Sequence, residues 1–218
     1  MTIKQEKLEK IVFVFLLLFI ILNAFRCHDS VQALISAVCG ITYTVFAGKG
    51  YPVCYLFGVT GSSFYAYISA QNALWGNVFL YLGYYVPMQI LGFWQWRKNL
   101  KQDKNEIVKT SLKLKEFFII VLCSVVLVII LAAFLGTTAD KHPILDSMTT
   151  IFSISVMYLT VRRCIEQWLF WMIVNALSLL MWLNIALQGG RVYSTVIMWA
   201  VYLFLAFYFY LQWRREIK

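Results

Sequence analysis

Long apolar stretches separated by short polar breaks run through nearly all of this 218-residue chain. Each stretch is about as long as the ~17–25 apolar residues that a helix needs to cross a bilayer. The one long polar stretch, at 97–115, follows the fourth apolar segment. The pattern predicts about eight transmembrane helices, at residues 9–26, 31–48, 51–70, 75–96, 114–135, 144–161, 167–188 and 193–212.

Composition supports the same class. The chain is 61% hydrophobic and only 13% charged, and its mean hydropathy is +0.74. A soluble domain of this size is nearer half apolar and a quarter charged. The five cysteines form no C-x-x-C pair, and we interpret them as small packing residues. The predicted fold class is therefore an all-α, multi-pass membrane protein.

The basic residues predict an orientation. If the N-terminus is inside, 16 of the 19 Lys and Arg residues fall on the inner side of the eight spans. Positively charged loops favour the cytoplasmic side of a membrane, so both termini are predicted to be cytoplasmic. The net charge of +9 is then explained by the bilayer, whose inner surface is anionic, and nucleic acid is not expected as a partner.

An internal repeat divides the chain. A gapless shift of 117 residues places Gln95-Trp96-Arg97 on Gln212-Trp213-Arg214 and Asp29-Ser30 on Asp146-Ser147. Each repeat holds three spans, and the span left between them returns the chain so that both triplets enter from the same side. The result is two parallel three-helix repeats joined by a linking helix, a SWEET-like 3+1+3 arrangement. The predicted parts are an N-terminal helix at 1–28, a first repeat at 29–97, a basic cytoplasmic loop and linking helix at 98–143, and a second repeat at 144–218.

The strongest candidate site lies on the seventh span. Trp168, Trp171 and Asn175 follow each other at i, i+3 and i+7, so they share one helix face. An amide inside a membrane helix is costly if it faces lipid, which offers no hydrogen-bond partner. The gapless shift aligns these three residues with Tyr51, Cys54 and Gly58. Because the halves differ here, we predict a substrate site in a cavity between the repeats, although a helix–helix contact with interfacial Trp anchors would give the same pattern.

Other polar and aromatic side chains are candidates for the same cavity. Tyr81, Tyr85 and Gln89 lie at successive i+4 steps on the fourth span. Tyr202 matches Tyr85 in the repeat, and Ser178 follows Asn175 on the seventh span. Trp94 and Trp96 stand beside basic residues, which is typical of an interfacial belt rather than of ligand contacts.

Several functions are disfavoured by what the spans lack. No acidic or basic residue lies in the middle of any span, which disfavours ion-coupled pumping. The sequence has no phosphate-binding loop, so ATP-driven transport is also disfavoured. His28 and His142 fall in predicted loops without a metal-ligand pattern, and we expect no metal or cofactor. A solute carrier remains the first hypothesis, and an intramembrane enzyme or an assembly factor is the distant alternative.

An uncharged cavity walled by Trp, Tyr, Asn and Gln suits a small heteroaromatic solute with hydroxyl groups. The motif Trp168-x-x-Trp171-x-x-x-Asn175 resembles the signature of the PnuC family of bacterial vitamin-uptake transporters. The stretch from Tyr85 to Trp96, with Gln89 inside it, is similar to the family's fourth-span pattern. The resemblance covers about 29–215, and the family's fold is the 3+1+3 arrangement.

The resemblance implies facilitated uptake of nicotinamide riboside across the bacterial inner membrane, with trapping by a cytoplasmic riboside kinase. It also implies a homotrimer that is not an enzyme, with Trp168, Trp171, Asn175 and Gln89 binding substrate. Relatives with similar signatures carry thiamine or riboflavin. Since nicotinamide riboside and thiamine are both heteroaromatic cations, charge does not separate them.

Overall fold

The structure is a computed structural model, and it describes residues 3–27, 30–71, 78–102, 105–137, 143–187 and 193–217. Its described part is helical, with eight α-helices and one π-helical segment. The α-helices are α1 Ile3–Cys27, α2 Val31–Lys49, α3 Cys54–Gln71, α4 Val86–Arg97, α5 Leu114–Leu135, α6 Pro143–Val161, α7 Gln167–Leu187 and α8 Tyr193–Ile217. The all-helical prediction is confirmed, and the predicted span at 114–135 coincides with α5. The predicted boundary at residues 28–29, His28 and His142 lie outside the described residues.

Four segments of the described chain are long and apolar enough to cross a membrane: Val31–Lys49, Leu114–Leu135, Pro143–Val161 and Val196–Ile217. Shorter apolar helices occupy Ile11–Arg26 and Gln167–Leu180. Thr and Ser hydroxyls on these helices return to backbone carbonyls one turn earlier, as Thr42 does to Val38 and Thr160 to Val156. Such bonds satisfy hydroxyl groups that lipid cannot satisfy.

The chain divides into two compact units, Met1–Arg97 and Lys98–Lys218. In the first, α2 packs against α3, and α3 packs against both α4 and the segment that precedes it. In the second, α7 lies between α6 and α8, and α6 also packs against α5. One polar contact within the second unit joins α5 to α6, where Ser124 and Ser155 share a hydrogen bond of 2.8 Å between their hydroxyl oxygens.

The residues before α4, Phe79–Tyr85, form a π-helix. Its wider turn has a local cause in Pro87. A proline lacks the N–H that would bond the carbonyl four residues earlier, at Gly83, and its ring would collide with that carbonyl. The i→i+5 turns of this segment, one of which is closed by the Val86 N–H on the Tyr81 carbonyl, relieve the collision.

Two helices end in the same way. Gly50 after α2 and Arg163 after α6 both adopt the left-handed conformation, at φ 77° and 63°. The following N–H groups, of Tyr51 and Cys164, reach back to the carbonyls of Phe46 and Leu159. This is the Schellman arrangement, which usually has glycine at the left-handed position. The two residues are 113 positions apart rather than 117, so these two helix ends do not follow the gapless shift, and the repeat stays a prediction.

The polar stretch after α4 is more ordered than a solvated loop. Leu100 and Ile107 pair as an antiparallel bridge, and Thr110 pairs with Cys164 as a parallel bridge. The Thr110 N–H donates to the Arg163 carbonyl, and the Thr110 carbonyl accepts from the Ile165 N–H. This loop is therefore attached to the turn between α6 and α7, directly before the predicted site residues of α7.

Candidate functional site

Trp168 lies in the first turn of α7 and is buried by two aromatic residues of α8. Its ring centroid is 5.4 Å from that of Phe209 and 5.7 Å from that of Trp213, which it meets edge-on at 81°. The indole N–H of Trp168 is buried and has no hydrogen-bond partner among the described residues. The ring is thus fixed by packing while its one polar atom is left without a bond in the second unit.

Trp171 points to a different neighbour. It is half-buried against an apolar cluster that α6 and α7 form, with Val156, Leu159 and Phe170 among its members. Asn175 and Ser178, further along α7, are buried at 4% exposure each. The amide predicted on α7 is therefore enclosed instead of facing solvent or lipid, whereas the two indoles contact different neighbours.

Gln89 of α4 is the buried amide of the first unit. Its Nε2 donates to the Ser62 hydroxyl of α3 at 3.1 Å, and its Oε1 is buried without a hydrogen-bond partner among the described residues. A methyl group at Gly58 would come within 3.0 Å of the Gln89 amide carbon. The amide therefore occupies space that only a glycine at position 58 leaves free.

Several tyrosines of the first unit pack against one another. The rings of Tyr43 and Tyr55 lie 6.0 Å apart, and both hydroxyl groups are buried without a partner in the described part of the chain. Tyr85 is buried and meets Tyr81 edge-on at 4.9 Å, and Tyr81 also packs against Tyr65 at 4.5 Å. Tyr81 and Tyr85 are thus in contact, and their sharing of a cavity lining with Gln89 stays a prediction.

The remaining candidates have mixed outcomes. Tyr202 is half-buried on α8 beside Trp199, with ring centroids 5.9 Å apart. Trp94 is 58% exposed, which fits an interfacial position. The interpretation of Trp96 as an interfacial residue is wrong, because its indole is fully buried and meets Tyr55 edge-on at 5.0 Å. An indole beside basic residues resembles a belt residue in sequence even when a neighbouring helix covers it.

Charged groups gather where the loop meets the ends of α7 and α8. The ammonium group of Lys109 lies 5.0 Å from the centre of the Trp213 ring and pairs with Glu216. Burial lowers the pKa of Lys109, an effect that the ion pair with Glu216 partly offsets. Burial also raises the pKa of Glu166, although the Leu112 N–H donates to its carboxylate. These groups hold the loop against the indole that contacts Trp168.

In the first unit Tyr81 contacts Tyr85, and Gln89 bonds to Ser62. In the second unit Trp168 packs against α8, and Asn175 and Ser178 are buried further along α7. The cavity between the repeats stays a prediction. Sequence reasoning missed Tyr43, Tyr55, Ser62, Lys109 and Trp213 as neighbours of these side chains. No spacing rule finds them, because each contact joins two segments that are distant along the chain.

Comparison with known proteins places this arrangement in a family. The profile described as nicotinamide mononucleotide transporter matches residues 30–215, which is most of the chain. The chain belongs to the nicotinamide mononucleotide transporter family. As a family member with several helices suited to a bilayer, it is a membrane transport protein.

Members of the transporter family with similar sequences are named nicotinamide riboside transporter PnuC. The protein from Neisseria mucosa is 33% identical over 195 residues, which cover 87% of this chain and 74% of that protein. The protein from Haemophilus influenzae is 27% identical over 210 residues, covering 94% and 90% of the two chains. The resemblance to the PnuC family is thereby confirmed.

A solved structure has the same fold. The crystal structure of the vitamin B3 transporter PnuC superposes with a TM-score of 0.82 at 31% identity, covering 95% of this chain and 91% of that one. The agreement extends over both compact units.

Proposed function

We propose that this transporter carries nicotinamide riboside across the bacterial inner membrane by facilitated diffusion, with both termini in the cytoplasm. The observation that carries the proposal is the face of α7, where a packed indole at Trp168 and a buried amide at Asn175 lie two turns apart on a helix without a charged residue. The names of the relatives point to the same solute.

The chemistry of this face fits the solute. The half-buried Trp171 offers a flat, electron-rich surface to a cationic pyridinium ring, an attraction of roughly 0.5–2 kcal/mol that needs no counter-ion. Trp168 is packed on its ring and offers its unbonded indole N–H. Asn175 and Gln89 each carry a carboxamide that can exchange hydrogen bonds with the substrate's own carboxamide or hydroxyl groups. Tyr81, Tyr85, Tyr202 and Ser178 complete the proposed lining.

The riboside is favoured over the mononucleotide by the charges of the chain. A phosphate ester is bound by Arg, Lys or a helix N-terminus in most proteins. No Lys or Arg lies in the middle of any predicted span, and α7 contains none. The uncharged sugar of the riboside therefore suits this helix better than the nucleotide does.

The remaining parts of the proposal follow the sequence analysis. Two parallel three-helix repeats rock around a site between them, and neither ATP nor an ion gradient drives the step. Phosphorylation by a cytoplasmic riboside kinase then traps the substrate and makes uptake one-way. The transporter works as a homotrimer, and it is not itself an enzyme.

Calorimetry on purified protein tests the substrate. We expect saturable binding of nicotinamide riboside and much weaker binding of nicotinamide mononucleotide, thiamine and riboflavin. Preferential binding of thiamine would identify thiamine as the substrate instead. No saturable binding of any of these ligands would favour an enzyme or an assembly factor.

The site assignment has its own variants. Asn175→Ala and Trp171→Ala together are expected to abolish binding because they remove the amide and one ring surface. Trp94→Ala is the matched control, since it deletes an indole that is exposed on α4. Thermal unfolding in detergent shows whether each variant is folded. Unchanged affinity in a folded double variant would show that the substrate does not bind at this face of α7.

A further inference from the structure

The contacts of the two aromatic pairs give the register of the repeat helix by helix. Tyr55 meets Trp96 edge-on in the first unit, and Trp168 meets Trp213 edge-on in the second. The interplanar angles are 80° and 81°. Trp96 and Trp213 are 117 positions apart, whereas Tyr55 and Trp168 are 113 positions apart. Helix α3 therefore matches α7 with the 113-residue offset that Gly50 and Arg163 also have.

This register changes the partner of each signature residue. Trp168, Trp171 and Asn175 correspond to Tyr55, Gly58 and Ser62, instead of to Tyr51, Cys54 and Gly58. On the last helix of each unit, Gln89 corresponds to Ala206 by the 117-residue offset.

The buried carboxamide thus lies on a different helix in each unit. The second unit combines an amide on its middle helix, Asn175, with a small buried residue on its last helix, Ala206. The first unit combines a small residue, Ser62, with an amide on its last helix, Gln89, and the two are hydrogen-bonded at 3.1 Å. Each unit buries one carboxamide at the matching pair of positions.

We infer that Ser62 is a positioning residue for substrate recognition, because it holds the Gln89 amide where the second unit has Asn175. Its hydroxyl oxygen accepts from Gln89 Nε2, which leaves Oε1 as an acceptor for a donor group of the substrate. Gly58, the counterpart of Trp171, supplies the space in which the amide lies. This inference rests on the proposed function and adds the way in which the first unit contributes to it.

The geometry sets the size of the expected effect. Without the Ser62 oxygen, the amide has one less constraint on its rotation and loses a partner for its N–H group. Loss of one neutral hydrogen bond corresponds to a change in affinity of about fivefold to tenfold. Gln89→Ala removes the substrate contact itself and should cost more.

A double-mutant cycle tests the inference, with nicotinamide riboside binding measured by calorimetry on the full-length protein. Ser62→Ala and the nearly isosteric Ser62→Cys should each weaken binding about fivefold to tenfold, and Ser62→Ala should also lower the unfolding temperature modestly, because the buried Gln89 N–H loses its acceptor. In a Gln89→Ala background, Ser62→Ala should change the affinity by less than about twofold, because its effect acts through Gln89. Ser63→Ala, at the next position of α3, is the matched control and should bind as the wild type does.

Two results would overturn the inference. One is wild-type affinity in Ser62→Ala. The other is an equal loss from Ser62→Ala with and without Gln89, which would mean that Ser62 acts through the fold alone. If the wild-type protein itself fails to bind nicotinamide riboside, the proposed function fails, and the inference that rests on it fails too. The wild-type measurement therefore separates the two failures.

Discussion

Each of the two units buries an edge-on aromatic pair, but the residue beside that pair is small in the first unit and large in the second. Tyr55 on Trp96 in the first unit matches Trp168 on Trp213 in the second. The first unit makes room for its tyrosine with Gly92, whereas the second packs Phe209 against its tryptophan at the corresponding position. The two units thus keep the same kind of contact with a small residue beside it in one and a large residue in the other.

The largest expected effect comes from filling the space that Gly92 leaves beside Tyr55 in the first unit. A methyl group at Gly92 would lie 2.4 Å from the Tyr55 ring, which Trp96 holds from another side. Overpacking of this kind costs about 1–3 kcal/mol, and the rigid partners favour the upper end of that range. We expect Gly92→Ala to lower the unfolding temperature in detergent clearly.

Gly83→Ala is the control for that prediction, because nothing lies within 4 Å of the added methyl group. It should be neutral or slightly stabilising, within about 1 kcal/mol. Equal unfolding temperatures for the two alanine variants would contradict the described contact between Gly92 and Tyr55.

The next test concerns Lys109, whose side chain covers Trp213 of the second aromatic pair. The side chain of Lys109 is 3% exposed against Trp213, whereas that of Lys101, which also pairs with Glu216, is 33% exposed. Lys109→Ala removes a packed aliphatic stem and should cost about 2 kcal/mol. Lys101→Ala breaks a surface pair and should cost less than about 1 kcal/mol.

A third variant separates the stem of Lys109 from its charge. Because burial lowers the pKa of Lys109, its environment does not favour the charge strongly. Lys109→Met keeps the stem and should unfold close to the wild-type temperature. A loss as large as that in Lys109→Ala would instead assign the stabilisation to the ammonium group on the indole.

The smallest expected effect concerns Glu166, directly before α7. Burial raises its pKa, so the Glu166 carboxyl group stays protonated in the folded protein at a pH where it has already lost its proton in the unfolded chain. Its contribution to stability is complete below the ordinary carboxyl pKa and is lost as the pH rises through the raised value. Glu166→Gln should flatten this part of the profile of unfolding temperature against pH. A profile identical to that of the wild type would contradict the shift.

The sequence predicts the helices well because apolar length is a local property. The bounds of α5 agree with the apolar run, and α2, α6 and α7 differ from theirs by a residue or so. The internal repeat stays a prediction, because it depends on which residues of the two units are equivalent. The left-handed residues Gly50 and Arg163 lie 113 positions apart instead of 117, and only their backbone angles show that they end two helices in the same way.

The candidate residues show the same limit. Asn175 and Gln89 stand out in sequence because an amide is unusual in an apolar span. Ser62 does not stand out, since serine is common at tight helix contacts. The role inferred for it depends on its hydrogen bond to Gln89, 27 residues further along, and no spacing rule predicts that contact.

The attachment of Lys109 has a consequence for biosynthesis. Its partner Glu216 lies 107 residues further along the chain, on the last helix. While α5, α6 and α7 are being made, the ammonium group has no Glu216 to pair with and no Trp213 to cover. The loop therefore reaches its final arrangement only after α8 has been made and inserted.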